Sequence, residues 1–202
     1  MIRRPPLAVP LAILLFLAVP ATHAPAEEPV PEAERFTGTL LVVNAPATGA
    51  ARIRLTVERW TTEEERKRLA EAIRAGGSDA LVEALEDMKA GYVQIDNNLR
   101  RPVRYAFSWE KDGGRLVRLA TDRPLHFVEL RRSATSLDYP IGVVELRLPP
   151  GGEGEGTLLA AAQVHVGADG RLEVKSLPSN TGPQRIVGVR SEIVPARKSK
   201  KK

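Results

Sequence analysis

Hydrophobic and polar positions alternate with two different periods along this chain. Ile53, Leu55 and Val57 alternate with Arg52, Arg54, Thr56 and Glu58, which predicts a strand with one buried and one wet face. Before it, Thr39 to Val43 is a short apolar run closed by Asn44-Ala45-Pro46, a strand followed by a turn. The period then changes. Thr61 precedes Glu64 by three residues and Thr62 precedes Glu65 likewise, so either pair can open a helix with a capping box. Leu69, Ala72 and Ile73 supply an apolar stripe up to Gly76-Gly77, where a helix is expected to stop. Ser78 then starts a second helix carrying Leu81, Val82, Leu85 and Met88 on one face. The expectation is an inserted helical hairpin at about 61–90.

After Gly91 the period returns to two. Val103, Tyr105, Phe107 and Trp109 are expected on one strand face, with Arg104, Ala106, Ser108 and Glu110 on the other. Lys111-Asp112-Gly113-Gly114 reads as a hairpin turn, and Leu116 to Thr121 as the returning strand. Leu125 to Leu130 is a further strand candidate, followed by Val144 to Leu148, Leu158 to Val166, Leu172 to Val174 and Ile186 to Ile193. The total is about nine strands at hairpin-like spacing, without any repeat that signals a solenoid or propeller. The fold class expected is α+β, mainly antiparallel β, with the sheet either curled toward a barrel or split into a sandwich.

The first residues obey another rule. Arg3 and Arg4 precede the uncharged run Leu7 to Val19, too short for the ~20 residues of a membrane-spanning helix. Small residues follow, so residues 1–26 read as a signal peptide cut after Ala26, with Ala21 as the competing site. Residues 27–35 are rich in Pro and Glu and read as a linker, 36–193 as one β-rich domain and 194–202 as a basic disordered tail. An extracytoplasmic location, periplasmic or secreted, follows from the leader, with no transmembrane span expected after its removal. The chain has no cysteine, so neither disulfides nor a thioether-linked lipid can stabilise or anchor it.

The formal charge of +5 suggests nucleic acid until it is located. Seven of the 30 bases are Arg3, Arg4, Arg197, Lys198, Lys200, Lys201 and Lys202 at the two ends, so the body holds fewer bases than its 25 acids. No nucleic-acid partner is therefore expected. The tail residues Arg197, Lys198, Lys200, Lys201 and Lys202 are candidates for attachment to an anionic envelope surface, against the alternative of a solvated end.

Chemical motifs are sparse. His126 and His165 lack any H-E-x-x-H or H-x-H spacing, no metal is expected, and the only metal grouping to consider pairs either histidine with Asp96 or Asp138. No G-x-S-x-G elbow or phosphate-binding G-x-x-x-x-G-K-[ST] occurs, and no cofactor is implied. Gly151 to Gly156 joins two strands, which suits a hairpin loop. Asp96, Asn97 and Asn98, leading into Leu99-Arg100-Arg101, form the densest polar cluster; turn chemistry explains it, yet loops of this kind also carry binding sites. Arg123 and His126, near a loop mouth, complete the candidate ligand-binding set. Tyr105, Phe107 and Trp109 suit a core, with a sugar platform or apolar ligand lining as the alternative.

Trp60 to Arg66, Gly91-Tyr92-Val93, Ala120 to Pro124 and Asp138-Tyr139-Pro140 resemble segments of a family of secreted bacterial proteins of unassigned function. The resemblance spans roughly 36–193 and implies one domain without implying an activity. Two function classes stay open: a non-catalytic binding or envelope-accessory module, or an extracytoplasmic hydrolase or metalloenzyme built on dispersed His, Asp and Arg residues.

Overall fold

The computed structural model describes residues 32–42, 49–125, 139–167, 170–178 and 182–195. The leader, His126, Asp138 and the tail lysines lie outside the described residues. Ten strands are joined in one antiparallel sheet: β1 (Glu32–Val42), β2 (Gly49–Val57), β3 (Gly91–Ile95), β4 (Arg101–Val103), β5 (Tyr105–Lys111), β6 (Gly114–Ala120), β7 (Ile141–Leu148), β8 (Gly154–Val166), β9 (Leu172–Ser176) and β10 (Gln184–Pro195). Their order is β4-β3-β2-β1-β10-β8-β7-β6-β5, with β9 paired to β8 off this path. Among the described residues the strands thus make one sheet and no two-sheet sandwich. Strand β1 already contains Glu32 to Arg35, paired with Pro195 to Glu192 of β10, so strand pairing extends into the stretches that composition assigns to linker and tail. Gly154 to Gly156, likewise, belong to β8.

The β2 alternation is realised as expected. Ile53, Leu55 and Val57 are buried, with Arg52 and Arg54 on the opposite face. The β5–β6 hairpin turns through Asp112 and Gly113, whose φ angles of 53° and 74° are both positive, the geometry that a two-residue turn between twisted strands prefers. Strands β5 to β8 form an antiparallel meander, with a register shift between Ile141 and Val143 where β7 pairs with β8.

The helical hairpin is not found. One helical element, α1 (Glu63–Glu86), spans the region, and the non-helical residue inside it is Gly77, at φ 67° and ψ −145°. Gly76-Gly77 was expected to end a helix because glycine tolerates positive φ. It does break the helical path, but for a single residue, and no connecting loop separates Ser78 from what precedes it. The capping box forms on Thr62. Its hydroxyl accepts from the Glu65 amide at 3.3 Å, and the Glu65 carboxylate accepts from the Thr62 amide at 3.0 Å.

Both faces of the sheet bury apolar side chains. On one face Phe36, Ile53, Val93, Val103, Ala106, Val117, Val144, Leu158 and Ile186 join a single cluster, so every strand of the path contributes to it. On the other, Leu69, Leu81 and Leu85 of α1 and Leu172 of β9 pack against Tyr105, Ile141, Val143, Leu159 and Val164. The expected grouping of Val103 with Tyr105, Phe107 and Trp109 is therefore corrected. Arg104 falls between β4 and β5, where its amide bonds to the Ala120 carbonyl at 2.8 Å, and the alternation changes sides there. Gly91 fits because the chain crosses β2 closely: a Cβ on it would lie 1.9 Å from the Thr56 carbonyl oxygen.

Candidate functional site on the basic face of the first strands

The outer face of β1, β2 and β3 has no helix over it among the described residues, and cations dominate it. Register places Thr39 beside Arg52, and Arg54 between Thr37 and Gln94. Successive residues on one strand face lie ~7 Å apart, so Arg52 and Arg54 present two guanidinium groups side by side. The Asp96 amide donates to the Arg52 carbonyl at 2.7 Å, and the Arg52 amide donates to Asp96 Oδ1 at 2.7 Å. Asp96 adopts φ 47°, a conformation that aspartate accepts more readily than most residues. These bonds bring the turn after β3 onto the end of β2. A depression of ≈ 430 Å³ results, lined by Thr39, Ala50, Ala51, Arg52, Arg54, Asp96 and Asn97.

Charge pairing sets this face apart from its neighbours. On the adjoining outer faces of β1 and β10, Arg35 meets Glu192 at 3.1 Å, Arg185 meets Glu155 at 3.7 Å and Arg190 meets Glu153. Arg54, by contrast, bonds only to the neutral Gln94 amide oxygen, at 3.0 Å. Neither Arg52 nor Arg54 has a carboxylate partner for its guanidinium among the described residues. The Arg100 guanidinium lies 4.2 Å from the Tyr92 ring centroid, a cation–π contact that adds a third cation to the patch. Two guanidinium forks, a hydroxyl and an amide around one hollow suit the oxygens of a phosphate or carboxylate group, beside the Asp96 carboxylate, whose Oδ1 is engaged by the Arg52 amide.

Of the residues singled out from sequence, Asp96 and Asn97 line this hollow. Asn98 stands behind it, its amide donating to Ile95 at 3.0 Å and its carbonyl accepting from Gln94 at 3.0 Å. Arg123 lies elsewhere. It bonds Asp122 at 3.0 Å, and Asp122 bonds Arg104 at 2.9 Å, next to the Val103 that pairs with Gly91 at the opposite end of β3. The sequence reading missed Arg52 and Arg54, because alternate arginines on a strand read as an ordinary solvated face. The available signal was their adjacency to the acid-poor β1 face, which needs the register to be seen.

Other charged groups pair within the protein. Glu34, its side chain 8% exposed, accepts from Arg115 Nη1 at 2.7 Å, Arg115 Nη2 at 2.8 Å and the Ser191 hydroxyl at 2.8 Å. The guanidinium of Arg66, on α1, lies 4.3 Å from the Phe107 centroid, with Arg171 at 4.8 Å and Arg118 at 5.1 Å from that of Trp109. Cations thus occupy the ring faces that a sugar platform would need. Burial pushes the Tyr105 hydroxyl up to about 12, with the Leu172 backbone and Arg66, Arg118 and Arg171 pulling the other way. His165 is exposed and meets Glu173 at 3.2 Å. Among the described residues no three His, Asp or Glu side chains gather as a metal site, and no helix is long and apolar enough to cross a membrane. No protein-family model, curated protein or solved structure matches the chain.

Proposed function

We propose that this protein is a non-catalytic binding module of the cell envelope that holds an oxyanionic ligand on the outer face of β1, β2 and β3. The observation that carries the reading is the pair Arg52 and Arg54, which line a hollow without carboxylate partners among the described residues while neighbouring arginines are paired. Charge-assisted hydrogen bonds from arginine to an oxyanion are among the stronger polar contacts. Recognition here needs no nucleophile and no proton transfer, consistent with a binding role. The signal-like leader supports work outside the cytoplasm.

The scaffold suits such a role. Both ends of the sheet path, β4 and β5, are consecutive in the chain, all nine path strands share one apolar cluster, and Arg115 reaches across from β6 to Glu34 on β1. These features support a sheet curled toward a barrel, a rigid body whose outside carries the site. Calorimetric titration with inorganic phosphate at low ionic strength tests the reading. Saturable binding is expected, weakened about tenfold by either Arg52→Gln or Arg54→Gln. No heat of binding, or unchanged affinity in the double variant, overturns it.

A further inference from the structure

We infer that the loop Asp96–Arg100 and the basic face beside it dock on an anionic phospholipid surface. This deepens the oxyanion reading and rests on it, by naming the lipid phosphate as the source of the oxyanion. The observation that adds to the cations is Leu99, 84% exposed. It lies in the β3–β4 connection, just after the turn Asp96–Asn98, and is followed directly by Arg100 and Arg101.

The exposed Leu99 has tied neighbours on both sides. Asp96 is tied in both directions to Arg52 at 2.7 Å, and Asn98 to Ile95 and Gln94 at 3.0 Å. Arg100 lies against Tyr92. A leucine held out this way gains nothing from water or from a soluble polyanion, which could satisfy Arg52, Arg54 and Arg100 alone. A bilayer offers a charged layer above an apolar one, in the order that cations flanking a projecting leucine require. The arginines would meet phosphates while Leu99 enters the boundary beneath them.

Co-sedimentation tests this, using the full chain purified from its own compartment. One set of vesicles is phosphatidylcholine alone and the other an equal mixture with phosphatidylglycerol. Partition into the mixed vesicles only is expected, falling as salt rises. Leu99→Asn, at an exposed position where folding is indifferent, should lower partition about tenfold and leave calorimetric phosphate binding unchanged. The Arg52→Gln, Arg54→Gln double variant should lower both. The lysine-rich tail is common to all variants, so the differences report the loop. Phosphate binding without preference for anionic vesicles, or Leu99→Asn partitioning like the parent, overturns the lipid inference and leaves the oxyanion reading standing. So does capture on dextran sulfate that Leu99→Asn does not change, with no vesicle binding, which would identify a soluble polyanion. Loss of phosphate binding itself would remove both.

Discussion

Asp122 brings a carboxylate into the protein with its side chain 0% exposed. Burial alone would raise its carboxyl, but hydrogen bonds from Arg123 and Arg104 outweigh that and hold it below the usual range. Arg104 also donates to the Met88 carbonyl at 2.9 Å, so the pair joins the end of α1 to the junction of β4 and β5. A carboxyl whose folded value is depressed contributes stability above its unfolded value of about 4 and loses it as pH falls through the folded value. Asp122→Ala should therefore cost about 3–5 kcal/mol at neutral pH, by leaving Arg104 half of a broken pair. In urea unfolding the gap between variant and parent should shrink as the pH is brought below 4. A gap that stays constant with pH would exclude the charge as its origin. The same scale decides what was legible at the binding face. Asp96 and Asn97 stand out in the sequence for their turn chemistry, whereas Arg52 and Arg54 acquire meaning only because Asp96, 44 residues away, bonds the Arg52 amide.

Among the elements, α1 shows how far local rules reach. Thr62 and Glu65 mark its start in the sequence and the structure agrees; two candidate boxes were visible, and Thr61 is drawn off to bond the Ala106 amide at 2.9 Å. The glycine pair was legible as a break but not as a break of one residue. Whether the chain turns back or resumes its helix depends on Leu69, Leu81 and Leu85 all burying against the same outer sheet face, a tertiary fact. Gly77→Ala separates the two situations by sign. In an unbroken helix the change would stabilise by about 1 kcal/mol. At φ 67° and ψ −145°, a region essentially confined to glycine, it should instead destabilise by about 1–3 kcal/mol, although nothing lies within 4 Å of the added carbon. Thermal or urea unfolding reads the sign directly. The alternation of β2 was legible because that strand has one apolar face, whereas β7 buries Val144 in one cluster and Ile141 and Val143 in the other. The switch at Arg104 was not, since it follows from β4 and β5 belonging to opposite ends of the sheet.

At the level of the whole molecule, the Glu34–Arg115 pair links strands 81 residues apart in the chain. The Arg115 guanidinium also lies 5.0 Å from the Trp60 ring centroid. Removing one member leaves the other charge poorly solvated, so Glu34→Leu or Arg115→Met alone should cost about 3–5 kcal/mol. The double variant should recover much of that loss, a coupling that a double-mutant cycle in urea measures. Strict additivity of the two single losses would mean that the pair acts as an ordinary surface contact.

The pairing of β1 with β10 has a temporal side. Arg35 and Glu192 are 157 residues apart, so β1 gains one of its two neighbours only when β10 has emerged. Loop closure over such a span is entropically slow. Until it happens, the apolar row Phe36 and Leu40 lacks the strand that carries Ile186 and Val189. The body of the protein thus remains unfinished, and open to whatever machinery handles nascent chains, until β10 has been made.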